Sequence, residues 1–68
     1  MKTIKETAAS VAAGLGCRSQ DLEQVWSRME TYSVSLTARS FVMQVAQAMK
    51  ECGLKPNEAN IETLASRL

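Results

Sequence analysis

Apolar residues recur at helical spacing in four separate stretches of this chain, and glycine or proline interrupts the pattern between most of them. Apolar side chains spaced three or four residues apart lie on one face of an α-helix. The stripes predict helices at residues 3–14, 19–30, 36–52 and 57–67. We therefore expect a single all-α domain of two helical hairpins, residues 1–30 and 36–68, with a connector at 31–35.

The second hairpin repeats the first in weaker form at an offset of 39 residues. At this offset Gly53 and Leu54 follow Gly14 and Leu15, and the apolar positions of the last helix follow those of the second. Any two helical hairpins with a glycine turn share such a pattern, so common ancestry and common packing geometry both explain the repeat.

A chain of 68 residues leaves much apolar surface in water unless a partner covers it, so we expect a homodimer formed through the third helix. Met43 falls away from the main apolar stripe of that helix, and thioether side chains adapt to irregular partners. The sequence thus predicts a partner interface at Val42, Met43 and Ala46. The alternative is a third helix that is buried on most sides.

Composition excludes several classes of protein. The formal net charge of +1 creates no overall attraction to nucleic acid or anionic lipid, so any DNA contact must rest on local arrangement. No apolar run reaches the ~18 residues of a membrane span. Lys5 and Glu6 interrupt the apolar core that a signal peptide needs, so we expect a cytoplasmic protein with no membrane contact. Cys17 and Cys52 are then expected to be reduced, small and partly buried.

Catalytic and metal chemistry have few suitable residues. The chain has no histidine and two cysteines, too few ligands for a structural zinc site. Cys17 stands at a glycine turn beside Arg18, where a thiolate could form, yet no general base accompanies it. We expect no enzyme, no cofactor and no metal.

The stretch VAAGLGCRSQDLEQV, residues 11–25, spaces a small residue, a glycine and two aliphatic residues in a particular way. Ala12 allows close helix crossing, Gly16 suits a left-handed turn, and Leu22 and Val25 lock the following helix. This pattern resembles the helix-turn-helix motif of DNA-binding proteins over residues 7–28.

The resemblance implies contacts with double-stranded DNA from the outward side chains of the second helix, which are Arg18, Ser19, Gln20, Gln24, Ser27 and Arg28. Their amides, hydroxyls and guanidinium groups suit base edges and phosphates. Asp21 and Glu23 depart from the pattern, and residues 18–30 carry two basic and three acidic side chains. Phosphate repulsion is the physical objection.

A second resemblance covers residues 32–68. The segment TYSVSLT, residues 31–37, alternates polar and apolar residues as a strand does, and two helices follow it. This order is similar to ribbon-helix-helix proteins, which implies outward positions at Thr31, Ser33 and Ser35 and a phosphate contact at Arg39. The segment also fits a linker with accidental alternation.

Two functions follow from these patterns. The first is a small helix-turn-helix regulator that binds DNA. The alternative is a non-catalytic protein interaction module, or an inhibitor, that binds a larger protein through an exposed helix face.

Overall fold

A computed structural model describes residues 3–32 and 37–68, and all regular structure in these two ranges is helical. The four α-helices are α1 (Ile4–Gly14), α2 (Leu22–Met29), α3 (Ala38–Glu51) and α4 (Ile61–Ser66). Short 3-10 turns, Ser19–Asp21 and Glu58–Asn60, lead directly into α2 and α4. The predicted all-α class with four helices is confirmed, whereas the alternation at residues 33–36 lies outside the described residues.

The way in which α1 and α2 begin accounts for their small differences from the predicted helix bounds. Thr3 caps α1, because its hydroxyl accepts a hydrogen bond of 3.1 Å from the backbone N–H of Glu6. Ser19, a residue type that often caps helices, does not cap α2, since it lies inside the 3-10 turn. Neither Arg18 before that turn nor Asp21 before α2 makes a capping side-chain hydrogen bond. The tighter first turn makes α2 shorter than its apolar stripe suggested.

The two long helices, α1 and α3, end with the same backbone motif. Gly16 and Gly53 adopt left-handed conformations with φ of 95° and 82°. After α1, Cys17 N–H donates to the Ala12 carbonyl. After α3, Leu54 N–H donates to the Met49 carbonyl. These are Schellman motifs, in which a glycine in the left-handed region lets the chain satisfy the last carbonyls and turn back.

The common motif corrects the internal alignment. Gly16, not Gly14, is the structural counterpart of Gly53, and these two glycines are 37 residues apart. The 3-10 turns and helices that follow are 39 residues apart, as the sequence pattern indicated. The second hairpin therefore has the same architecture as the first with a loop longer by two residues.

Most of the core surrounds α3. This helix buries six side chains: Phe41, Val42, Val45, Ala46, Ala48 and Met49. It packs against α1, α2 and α4, so apolar side chains meet partners over a broad face. In contrast, α4 has no fully buried residue and covers the core with half-buried Ile61, Leu64 and Ala65.

Two hydrogen bonds to backbone carbonyls attach the second hairpin to the end of the first. The Asn57 N–H donates to the Leu15 carbonyl at 2.9 Å, and the Asn60 side-chain amide donates to the Gly14 carbonyl at 3.0 Å. A Cβ atom on Gly14 would lie 2.6 Å from a methyl carbon of Leu64, so the missing side chain admits α4 at this point. The end of α1 is therefore a contact point between the hairpins.

We expect Gly16→Ala to lower the free energy of unfolding by about 1–2 kcal/mol, the cost of a left-handed conformation for a residue with a Cβ atom. Nothing lies within 4 Å of a Cβ built on Gly16, so the effect is conformational and not a clash. Gly16→Asn should lower the free energy of unfolding by less than Gly16→Ala does, because asparagine tolerates the left-handed region. Urea unfolding followed by circular dichroism measures both; equal stability of the alanine variant and the native chain would contradict this account.

Candidate binding surface on the first helical hairpin

The turn at Gly16 and the packing of α2 expose one polar face. Val25 and Met29 are buried, which directs their side of α2 into the core and the opposite side outward. All six predicted DNA contacts are exposed: Arg18, Ser19, Gln20, Gln24, Ser27 and Arg28. We call these six side chains the polar ridge. The structure exposes them together on one hairpin, and the sequence pattern predicted outward side chains at these positions.

Each of the three described cations of this hairpin is paired with a carboxylate. Arg18 Nε lies 3.8 Å from Asp21 Oδ2, and Lys5 Nζ lies 3.1 Å from Glu23 Oε1. Arg28 forms an ion pair with Glu51 of α3. Acidic side chains therefore lie between the basic ones, and no continuous positive strip joins Lys5, Arg18 and Arg28.

Arg28 belongs to a cluster that joins α2 to α3. Its guanidinium carbon lies 5.9 Å from the ring centroid of Tyr32, and the Gln47 amide donates to Glu51 Oε2 at 3.0 Å. Tyr32, then Gln47 and Arg28, lower the pKa of Glu51 from 4.5 to about 2. Glu51 is thus a carboxylate at neutral pH, and it holds Arg28 against α3.

The Tyr32 hydroxyl is enclosed next to this cluster, and within the described chain no partner meets hydrogen-bond geometry with it. The Glu51 carboxylate nevertheless is the largest influence on Tyr32 and raises its pKa.

A groove that the sequence analysis missed lies between α1 and α2, beside the polar ridge. Its cavity volume is about 100 Å³, and its lining consists of Lys5, Ala8, Ala9, Ala12, Leu22, Glu23, Val25, Trp26 and Met29. We call it the Trp26 groove. The Lys5–Glu23 ion pair lies at its polar edge. The available signal was the run of alanines on α1, whose small side chains leave space beside a half-buried tryptophan.

The predicted partner interface on α3 is wrong in two of its three residues. Val42 is 0% exposed and Ala46 3%, because α3 packs against three other helices and its buried face is wider than the main stripe. Met43 is 51% exposed and projects from the polar side of the helix. One exposed methionine does not form an apolar patch, so the alternative of a helix buried on most sides describes α3 better.

Both cysteines are free thiols, as expected, with Cys17 buried and Cys52 half-buried. Burial, and secondly the nearby Asp21 charge, raises the pKa of Cys17. A raised pKa disfavours the reactive thiolate considered for the glycine turn. Within residues 3–32 and 37–68, no three Cys, Asp or Glu side chains are grouped to hold a metal ion.

None of the described helices combines the length and apolar character required to cross a bilayer. Comparisons with protein-family models, curated proteins and solved structures found no match to this chain.

Stability should fall as the pH is lowered from about 4.5 to about 2, because the carboxyl of Glu51 has a pKa of 4.5 in its ordinary state and about 2 when folded. Its stabilising contribution is complete above that interval and is lost as the folded carboxyl becomes protonated. Urea midpoints measured across this range should decline less in Glu51→Gln than in the native chain. Glu30→Gln, which alters an exposed carboxylate outside the cluster, is the control; an equal effect of the two substitutions would contradict the assignment.

Proposed function

We propose that this chain is a non-catalytic protein interaction module that binds another protein through the first hairpin. The observation that supports it best is a pair of adjoining surfaces, a polar ridge whose two arginines are paired with neighbouring carboxylates and the apolar Trp26 groove. An apolar centre with a polar rim is the usual composition of a protein interface. Free thiols suit a reducing compartment, so the proposal places the protein in the cytoplasm.

The charge arrangement favours a protein over nucleic acid as the partner. Neutralised phosphates supply much of the affinity of DNA-binding proteins, through unpaired lysine and arginine side chains. On this hairpin, DNA would have to compete with Asp21 for Arg18 and with Glu51 for Arg28. The uncharged Gln and Ser side chains of the ridge hydrogen-bond equally well to a polypeptide.

The Trp26 groove supplies a place for an anchoring side chain. Tryptophan residues are enriched among the few positions that carry most of the binding energy of interfaces. An engineered cavity of about 150 Å³ holds benzene, so a volume of about 100 Å³ accommodates one aliphatic side chain. The Lys5–Glu23 pair at the edge offers a charge of each sign to the backbone or side chains around that anchor.

Peptides selected from a random displayed library on the native chain should contain an apolar anchor and should change the fluorescence of Trp26, the only tryptophan. Ala9→Glu places a charge in the groove lining and should weaken binding by about tenfold or more. Ala13→Glu makes the same change on an exposed part of α1 outside the groove and should have little effect. Equal binding by the two variants would refute the groove as the binding site.

DNA binding is the second candidate, and the exposure of all six ridge residues together with left-handed Gly16 is the observation in its favour. It predicts affinity for a fluorescent duplex that falls steeply with salt and is weakened by Arg18→Ala and Gln24→Ala. Lys55→Ala, at an exposed residue outside the polar ridge, is the charge control. Absence of duplex binding at low salt would eliminate this candidate.

A further inference from the structure

A second groove lies between α1 and α4. Its cavity volume is about 350 Å³, and its lining consists of Thr7, Ser10, Val11, Gly14, Leu64, Arg67 and Leu68. We call it the α1–α4 groove. The two helices touch where Leu64 meets Gly14 and where Asn60 bonds the Gly14 carbonyl. Beyond this contact the short α4 leaves Thr7 half-buried and Ser10 exposed, on a different side of α1 from the Trp26 groove.

The floor of this groove is apolar and its rim includes an exposed leucine. Val11 is buried and Leu64 half-buried, while Leu68 is 53% exposed. Leu68 is one of three large apolar side chains exposed in the described part of the chain, together with Ile4 and Met43. Covering such a surface is favourable in proportion to the apolar area removed from water.

Among the described residues, the charged side chains outside ion pairs indicate what kind of partner fits the α1–α4 groove. Five ion pairs engage most charged side chains, and those outside them are Glu6, Glu30, Lys55 and Arg67. Arg67 lines the α4 side of the groove. Glu6 precedes Thr7 and lies one turn before Ser10, which puts it beside the α1 rim. The groove thus has one free cation on one rim and one free anion near the other.

We propose that the α1–α4 groove is the interface of a symmetric homodimer, in which Arg67 of each protomer faces Glu6 of the partner subunit. In a two-fold interface the same patch meets itself, so a residue that contacts another receives the reciprocal contact. The exposed Leu68 side chain of each protomer then covers the groove of its partner, and both free charges gain partners. A purely anionic ligand would meet Glu6, and a purely cationic one Arg67, so neither satisfies both rims.

Sedimentation velocity of the native chain from about 10 µM to about 1 mM should show a monomer–dimer equilibrium. Arg67→Glu and Glu6→Arg should each weaken dimerisation by about tenfold or more, because each places like charges opposite one another twice. An equimolar mixture of the two variants restores both opposite-charge contacts and should dimerise to within about threefold of the native chain. The double variant should recover in the same way.

Lys55→Glu makes the same change of net charge as Arg67→Glu at a residue outside the groove lining and should leave dimerisation unaltered, as should Ala9→Glu in the Trp26 groove. Circular dichroism confirms that each variant folds; Leu68→Ser, at an exposed site, tests the interface should a charge variant unfold. A native chain that stays monomeric, or a mixture that dimerises no better than its components, would overturn the proposal. The dimerisation measurement does not depend on whether peptides bind to the Trp26 groove of the first hairpin.

Discussion

The burial of α3 among the other three helices is the constraint on which the structure depends. Val42 and Val45 are completely enclosed, and α1, α2 and α4 all pack against this one helix. Because α3 supplies so much of the core, little of its apolar surface is left for a partner. The grooves that we propose as interfaces lie instead around α1, the Trp26 groove on one side and the α1–α4 groove on the other.

Ion pairs join neighbouring helices and place carboxylates beside the cations of the surface. Lys5–Glu23 joins α1 to α2, Arg28–Glu51 joins α2 to α3, and Arg39–Glu62 joins α3 to α4. Exposed pairs of this kind contribute little stability individually. They do, however, place a carboxylate beside each of these cations, including Arg39, the phosphate contact implied by the ribbon-helix-helix resemblance. A charge-balanced surface of this type suits a protein partner better than a phosphate backbone.

The two proposed interfaces are compatible because they occupy different sides of α1. A dimer through the α1–α4 groove would leave the Trp26 groove and the polar ridge free on both protomers. Two identical binding surfaces on one particle raise the effective affinity for a partner that presents two sites. The same arrangement would serve a DNA reader, since a two-fold dimer presents paired helices to paired half-sites.

The sequence by itself determined where the helices lie, and with them the exposed ridge. Helical periodicity is a local property, so it located four helices within a few residues, and Gly16 and Gly53 marked both turns because only glycine accepts their backbone conformation without strain. Tertiary structure decided how wide each buried face is. Periodicity shows the direction of an apolar face but not how many helices cover it, which is why Val42 and Ala46 proved to be core. The tertiary structure also decided which charges pair. The residues of the Lys5–Glu23 and Arg28–Glu51 pairs are 18 and 23 positions apart in the sequence and meet only when the helices pack.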